Sequence, residues 1–482
     1  MIDKEALGPS RILESPVDVL TTLHSDGKRK WMYPTESKGR YLSKRRIVAW
    51  VLVVLYLILP ILQLAGRPVV LLDFVHREFA LFGLVFYPTD TILMMIFMVG
   101  VMLSIVLVTA LLGRVWCGWS CPQTVYLEFV FRPLERLIEG PEHVRKRRNE
   151  GPRTLDRLWR KAAKQVVFLV ISILLSHTFI AYFVGWTSLN SWLQGPPAEN
   201  WGFFLLTTIV TGLVWFDFAY FREQMCTIAC PYARMQSIML DRDSLIVSYD
   251  PGRGEPRAKR SKKALLEESK GLIESKGDCI DCYACVRTCP TGIDIRDGLQ
   301  MECVTCTQCI DACDHIMDNL AKPRGLIRYT SENQLEGIKT KLIRPRSVIY
   351  AMLIILMFSA FTFVLTSRDS YDINVGRAVG EPFAELQDGH ISNRLRFRVR
   401  NQTANESTFE ITSIEPIGTQ LRIVGTSPVE LLPGEMKRVE VWVLIPKEAL
   451  SSTSVEGKFR ITFSDGHVDE PSFVLLGPNH NQ

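Results

Sequence analysis

Five long apolar blocks constrain this sequence more than any other feature, because no soluble core has a place for them. They run at about Ile47–Leu64, Thr91–Leu112, Val166–Val184, Gly202–Tyr220 and Ser347–Leu365. Each is long enough, or nearly so, to cross roughly 30 Å of hydrocarbon as a helix. A backbone in lipid must satisfy its own hydrogen bonds, so isolated apolar runs of this kind read as helices. Hydrophobic residues make up 47% of the chain and are concentrated there. A shorter apolar stretch, Phe79–Tyr87, stops at Pro88 and reads as a re-entrant or interfacial segment. The polar N-terminal segment has no signal-peptide pattern, so the first block is expected to be an uncleaved anchor.

Basic residues orient the spans. Lys28, Arg29, Lys30, Arg40, Lys44, Arg45 and Arg46 precede the first block, Arg145 to Lys164 enrich the loop before the third, and Lys339, Lys341, Arg344 and Arg346 precede the fifth. All three regions belong on the cytoplasmic side. Gly185–Glu199 has no basic residue but carries Trp186 and Trp192, which suits an outer loop. Five crossings then leave the C-terminal region outside. The net charge of +5 is small for 482 residues, and no motif supports nucleic-acid binding.

All of the chain's 12 cysteines lie between Cys117 and Cys313. Such clustering suits thiolate ligands on a reducing face better than a disulfide framework. Eight form two runs, Cys279, Cys282, Cys285 and Cys289, then Cys303, Cys306, Cys309 and Cys313. Each run is C-x2-C-x2-C-x3-C, the pattern of bacterial two-cluster ferredoxins, in which the fourth cysteine serves the other cluster. One [4Fe–4S] cluster is thus expected on Cys279, Cys282, Cys285 and Cys313, the other on Cys303, Cys306, Cys309 and Cys289. Paired zinc sites normally use two C-x2-C hooks separated by a loop, a poorer match. Asp314 stands where Pro290 follows the first run, a change in the turn rather than in the ligands.

The other four cysteines form a repeat at the cytoplasmic ends of the second and fourth blocks. Cys117 and Cys121 precede Pro122, and Cys226 and Cys230 precede Pro231. If the helix persists, each pair shares one face, with the proline ending or kinking it. Placement at one membrane depth suggests that the pairs face each other. Four soft thiolates could hold Cu(I), zinc or another iron–sulfur cluster, act as dithiol pairs, or be buried structural thiols.

Weaker candidates are the stripe Met94, Met98 and Met102, His177 within the third span, and the polar group Asp217, Tyr220, Arg222 and Glu223. The basic stretch Arg257, Lys259, Arg260, Lys262 and Lys263 reads first as solvated linker. After Leu365 the pattern turns to short alternating strands, such as Leu395–Asn401, Thr408–Ile414, Arg438–Ile445 and Gly457–Phe463. Seven such segments fit an immunoglobulin-like sandwich, with His390, His467 and His480 too scattered for a copper site.

Taken together, the segments Gly113–Gly140 and Arg222–Arg257 and the doubled run Cys279–Cys313 resemble the cytochrome c oxidase accessory proteins of the cbb3-type oxidase system, the FixG/RdxA/CcoG family. The resemblance covers nearly the whole chain. It implies an electron-transfer protein that reduces Cu(II) to Cu(I) for assembly of the oxidase, in the bacterial inner membrane. The implied partners are copper ions, oxidase-assembly proteins and a copper chaperone or transporter. By the same resemblance Cys117, Cys121, Cys226 and Cys230 are the reactive and copper-handling residues, beside the two [4Fe–4S] clusters. A quinol-linked conduit to a partner reductase, or a structural assembly scaffold, are the alternatives.

The expected fold is a mixed membrane protein with five transmembrane helices, a cytoplasmic two-[4Fe–4S] ferredoxin-like insertion and a C-terminal periplasmic immunoglobulin-like β-sandwich. The expected divisions are a cytoplasmic segment 1–46, a four-helix region 47–221, a cytoplasmic cluster region 222–346, a fifth helix 347–365 and an outer domain 366–482.

Overall fold

The computed structural model describes residues 21–24, 26–64, 67–74, 78–86, 90–259, 277–339, 343–387, 389–403, 405–450 and 453–478. Arg260, Lys262 and Lys263 of the basic stretch, Lys341 and His480 lie outside the described residues. Two compact units are separated at Phe361 and Thr362.

Among the described residues, four helices rather than five are long and apolar enough to cross a membrane. They are α2 (Thr91–Leu112), α3 (Leu155–Val184), α4 (Trp201–Phe216, continued by a π-helical turn Asp217–Phe221) and α5 (Pro345–Thr366). The expected first span, Ile47–Leu64, is corrected. Its helix, α1, covers Arg40–Ile58 and begins with the charged residues Arg40, Lys44, Arg45 and Arg46. Its apolar part is only about 18 Å long at 1.5 Å per residue. The chain leaves the helix just before Pro60, which lacks the N–H that continuation requires. Gln63–Leu64 instead pairs antiparallel with Arg67–Pro68.

α1 still packs lengthwise on α3. The Tyr56 hydroxyl donates to the Leu175 carbonyl and the Tyr182 hydroxyl to the Tyr56 carbonyl, each at 2.8 Å. The stretch expected to be re-entrant is a three-stranded antiparallel hairpin, Val70–Asp73, Glu78–Leu81 and Leu84–Phe86, lying against the far end of α3.

The cysteine runs fold between α4 and α5. The ribbon Ile246–Tyr249 pairs antiparallel with Ile327–Thr330 and closes this module at its base. Its core contains Val247, Ile293, Ile310, Met317 and Ile327 beside the cysteines. Asp311, on the helix Gln308–Asn319, accepts from the backbone N–H groups of Tyr41 and Leu42 at 3.1 and 2.7 Å. A carboxylate at the start of α1 satisfies donors that no intrahelical carbonyl reaches, and it complements the helix dipole.

The second unit contains two five-stranded antiparallel sheets. In one, His390–Asn401 lies between Met436–Pro446 and Tyr371–Arg377. In the other, Ser407–Glu415 pairs with Ser454–Phe463. Phe397, Val399, Val441, Val443, Phe409, Phe459 and Ile461 alternate along these strands and form one core. Alternation located the central strands, but Tyr371–Arg377 reads Tyr-Asp-Ile-Asn-Val and was missed next to the end of α5.

Candidate redox site

The two cysteine runs wrap around two small cavities. Cys279, Cys282, Cys285 and Cys313 line the first, with Ile280, Ile316 and Met317. Cys289, Cys303, Cys306 and Cys309 line the second, where Cys285 also reaches the wall. The fourth cysteine of each run has therefore crossed to the other run's cavity. Four sulfur donors around each apolar cavity fit a [4Fe–4S] group in number and softness.

Backbone conformation explains how so short a spacer closes such a loop. Asp281 and Tyr283 in the first run, and Thr305 and Thr307 at equivalent places in the second, have φ of 52°, 55°, 55° and 61°. Left-handed residues turn the chain tightly at a conformational cost that non-glycine residues bear only where the surroundings hold them. Burial pushes the thiols up, Cys285 and Cys306 each to about 12, so metal binding must displace their protons.

The membrane-edge repeat extends into its backbone. Four residues before each pair stands a left-handed residue, Gly113 (φ 58°, ψ −130°) and Arg222 (φ 53°, ψ −120°). Cys117 lies on the short helix Val115–Trp119, and Cys226 on the π-helical turn Met225–Ala229. The helix does not persist to the second cysteine. Cys121 and Cys230 are extended, and Pro122 and Pro231 each open a new helix. The residue before a proline avoids the helical region, whereas proline itself suits the first helical position.

The pairs approach as the repeat suggests: Cys117 feels Cys121 and Cys230, and Cys226 feels Cys121, Cys117 and Cys230. Burial pushes Cys117 to about 12. Its thiol donates to Gln236 Oε1 at 3.5 Å. Among the described residues, no group of three or more Cys, His, Asp or Glu side chains is set to hold a single metal ion.

The two thiol regions touch. Gly118, between Cys117 and Cys121, lies so close to the second cluster loop that an added Cβ would meet the Thr305 carbonyl oxygen at 2.4 Å and the Val304 oxygen at 2.8 Å. Only glycine permits that approach. Arg114 ties the same elements together, donating to the Cys303 carbonyl at 3.1 Å, to the Met301 carbonyl, and to Ala233 on the helix after Cys230 at 2.9 Å. Trp119 Nε1 donates to the Tyr329 hydroxyl at 2.9 Å.

A buried ion network anchors the second pair. Arg222 holds Glu135 through two bonds of 3.0 Å, while Arg145 and Lys164 reach the same carboxylate at 2.6 and 3.4 Å. Glu223 binds Arg29 at 2.9 Å and Arg132 at 3.4 Å. Burial favours the neutral acid at Glu135, but Arg222 and Lys164 outweigh it and hold the carboxyl well below the usual range. The candidate polar group thus resolves into anchors: Arg222 and Glu223 fix the chain that enters Cys226, and Asp217 accepts from Gln123 Nε2 at 3.1 Å.

Met98 and Met102 are exposed on α2, and His177 packs edge-on against Trp186 at 5.2 Å. Neither joins the thiols. Sequence reasoning missed Gly118 and the roles of Arg114 and Glu135. An arginine three or four residues before each pair, Arg114 and Arg222, was the available signal.

Comparison with known proteins agrees with this division. A 4Fe-4S binding domain family matches residues 94–141, a 4Fe-4S dicluster domain family residues 221–332, and the IG-like fold at the C-terminal of FixG residues 361–478. These matches support two clusters. The nitrogen fixation protein FixG of Rhizobium meliloti is 31% identical, over 87% of this chain and 87% of its own. Protein RdxA of Cereibacter sphaeroides is 32% identical over 90% and 93%, and protein RdxB of the same organism 30% identical over 94% and 96%. The molecule is a multi-pass membrane protein with its iron–sulfur domain on the cytoplasmic side and an extramembrane immunoglobulin-like domain at its C-terminus.

Proposed function

Because this chain belongs to the FixG/RdxA/CcoG family of iron–sulfur membrane oxidoreductases, we propose that it delivers electrons to the membrane-edge thiols and there reduces Cu(II) to Cu(I) for assembly of a cbb3-type oxidase. The observation that carries the reading is the contact of Gly118 with the Thr305 carbonyl, which joins the thiol loop to the second cavity.

Cys279, Cys282, Cys285 and Cys313 would hold one cluster, and Cys289, Cys303, Cys306 and Cys309 the other. Bound there, the clusters supply one electron each. Copper is substrate. Cys117 with Cys121, or Cys226 with Cys230, binds it as a dithiolate, a coordination that Cu(I) accepts and that soft sulfur favours. The ion gains one electron and no proton. Gln236 orients Cys117, and the Arg222–Glu135 pair fixes the approach to Cys226. Arg344 and Arg346 favour a cytoplasmic start for α5, and one crossing from there favours a periplasmic C-terminal domain, available to oxidase-assembly proteins and a copper chaperone or transporter.

A quinol-linked conduit is the second reading, favoured by an apolar cleft between α2 and α5 that ends at Trp116 and Tyr232, beside the two pairs. The Tyr232 hydroxyl there is hydrogen-bonded to Thr109 Oγ1 at 2.8 Å. The test uses anaerobically purified, reduced full-length protein and a Cu(I)-specific chelator. One Cu(I) for each electron lost by the protein is expected; no coupling between the two overturns the copper reading. Reduction of the protein by a short-chain quinol instead supports the conduit, and oxidase assembly that survives loss of all cluster cysteines supports a scaffold.

A further inference from the structure

Behind the loop of the second cavity lies a buried cation whose terminal nitrogens meet no partner among the described residues. Arg45 is fully buried, with 0% of its surface exposed. Its Nε donates to the Gly118 carbonyl at 2.8 Å, and its guanidinium lies 5.3 Å from the centre of the Phe129 ring. Neither terminal nitrogen, Nη1 or Nη2, has a hydrogen-bond partner among the described residues. Removing a charge from water without pairing it is costly, and two unmet donors add to that cost.

Among the described residues, no carboxylate pairs with the Arg45 guanidinium. Glu128 binds Arg132 and accepts from Gln308 at 3.1 Å. Glu302, buried beside Cys303 with neither oxygen hydrogen-bonded among the described residues, lies within electrostatic reach of Arg114 rather than of Arg45. Arg45 faces the cluster loop: Gly118, which Arg45 holds, abuts Val304 and Thr305, and the Arg45 charge reaches Cys306. The first cavity is arranged differently. Its guanidinium, Arg296, binds Asp281 at 2.6 Å and Asp294 at 2.5 Å.

We infer that Arg45 is the counter-charge of the second iron–sulfur group and raises its reduction potential above that of the first. The inference rests on the two-cluster reading of the cavities. A cube held by four thiolates is net negative at both oxidation levels and more so when reduced, so an unpaired cation beside Cys306 favours the reduced state. Net charge and hydrogen bonds to sulfur are known levers on such potentials. At Arg296 the two aspartates cancel the lever. An electron on the module therefore rests in the cavity that abuts Gly118 and the membrane-edge thiols. Arg45 acts here as a positioning and tuning residue.

The test is a redox titration followed by electron paramagnetic resonance on anaerobic full-length protein in nanodiscs, with iron counted in every sample. R45Q removes the charge and keeps polar donors, while R45K keeps the charge and loses the fork. In R45Q the upper step should fall by at least tenfold in its equilibrium, 59 mV for one electron, with the lower step unmoved. R45K should hold the upper step within that tenfold range. Unchanged steps in R45Q with both clusters loaded overturn the inference, as do equal shifts in R45Q and R45K. Should R45Q take up no second cluster, R45K decides, because a tenfold fall there overturns the role of charge. Wild-type protein that binds no second cluster overturns the two-cluster reading itself.

Discussion

The cluster module and the membrane-edge repeat are both built from duplicated cysteine motifs, yet they are held in opposite ways. Around the cavities the chain supplies its own shape. Equivalent left-handed residues, Asp281 with Thr305 and Tyr283 with Thr307, turn each run inward, and an apolar core closes behind them. At the membrane edge the equivalent backbone residues are Gly113 and Arg222. Glycine adopts its conformation freely, whereas Arg222 is held there by Glu135 and its neighbours. One site is fixed by local turns that the ligand spacing dictates, the other by ion pairs gathered from distant parts of the chain. The first arrangement suits a group that stays, and the second suits a site that exchanges its cargo.

Replacing Cys289, Cys303, Cys306 and Cys309 together by serine should have the largest effect. Iron should fall from about eight to about four atoms per chain, measured by metal analysis. Retention of the full iron content would break the assignment of four ligands to each cavity.

Glu135→Gln should strike the other region alone. Removing one partner of a buried ion network costs about 3–5 kcal/mol, read by denaturant titration in detergent, while iron content stays unchanged. The carboxyl is depressed in the folded protein, so its contribution is present above its ordinary value of 4.5 and is lost as pH falls toward the lower folded value. A denaturation midpoint independent of pH below that point would count against the network.

Gly118→Val tests the contact between the regions. A side chain aimed at the Thr305 carbonyl should cost about 1–3 kcal/mol through overpacking and slow electron loss to copper, with both clusters loaded. Electron loss at the wild-type rate would remove the contact from the account. Thr305→Gly should change stability least, by under about 1 kcal/mol, since relief of the left-handed conformation is offset by a more flexible unfolded chain. Thermal denaturation of the loaded protein measures it.

The grouping of the eight cysteines around two cavities was legible in the sequence because the residue type and spacing of each run are those of a cluster-binding loop. Even the exchange of Cys289 and Cys313 between cavities followed from the run. The apolar blocks gave α2 without error, while the first block misled. Charge reads as an orientation signal in a linear sequence, and it concealed that Arg45, on the second turn of α1, turns inward to Gly118. Arg132 and Arg145 were hidden for the same reason. They look like solvated or membrane-facing charges until the fold brings Glu128, Glu135 and Glu223 to them. Proline's effect was half visible: its power to stop a helix was read, its preference for opening one was not.

The central claim is that electrons leave the module through the four membrane-edge thiols. The direct measurement is the single-turnover rate at which Cu(II) oxidises the reduced protein, followed by cluster absorbance in stopped flow. The wild type is compared with a chain in which Cys117, Cys121, Cys226 and Cys230 are serine and the iron content is intact. The account predicts a fall in rate of at least tenfold in the variant; equal rates would show that copper takes its electrons elsewhere and contradict it.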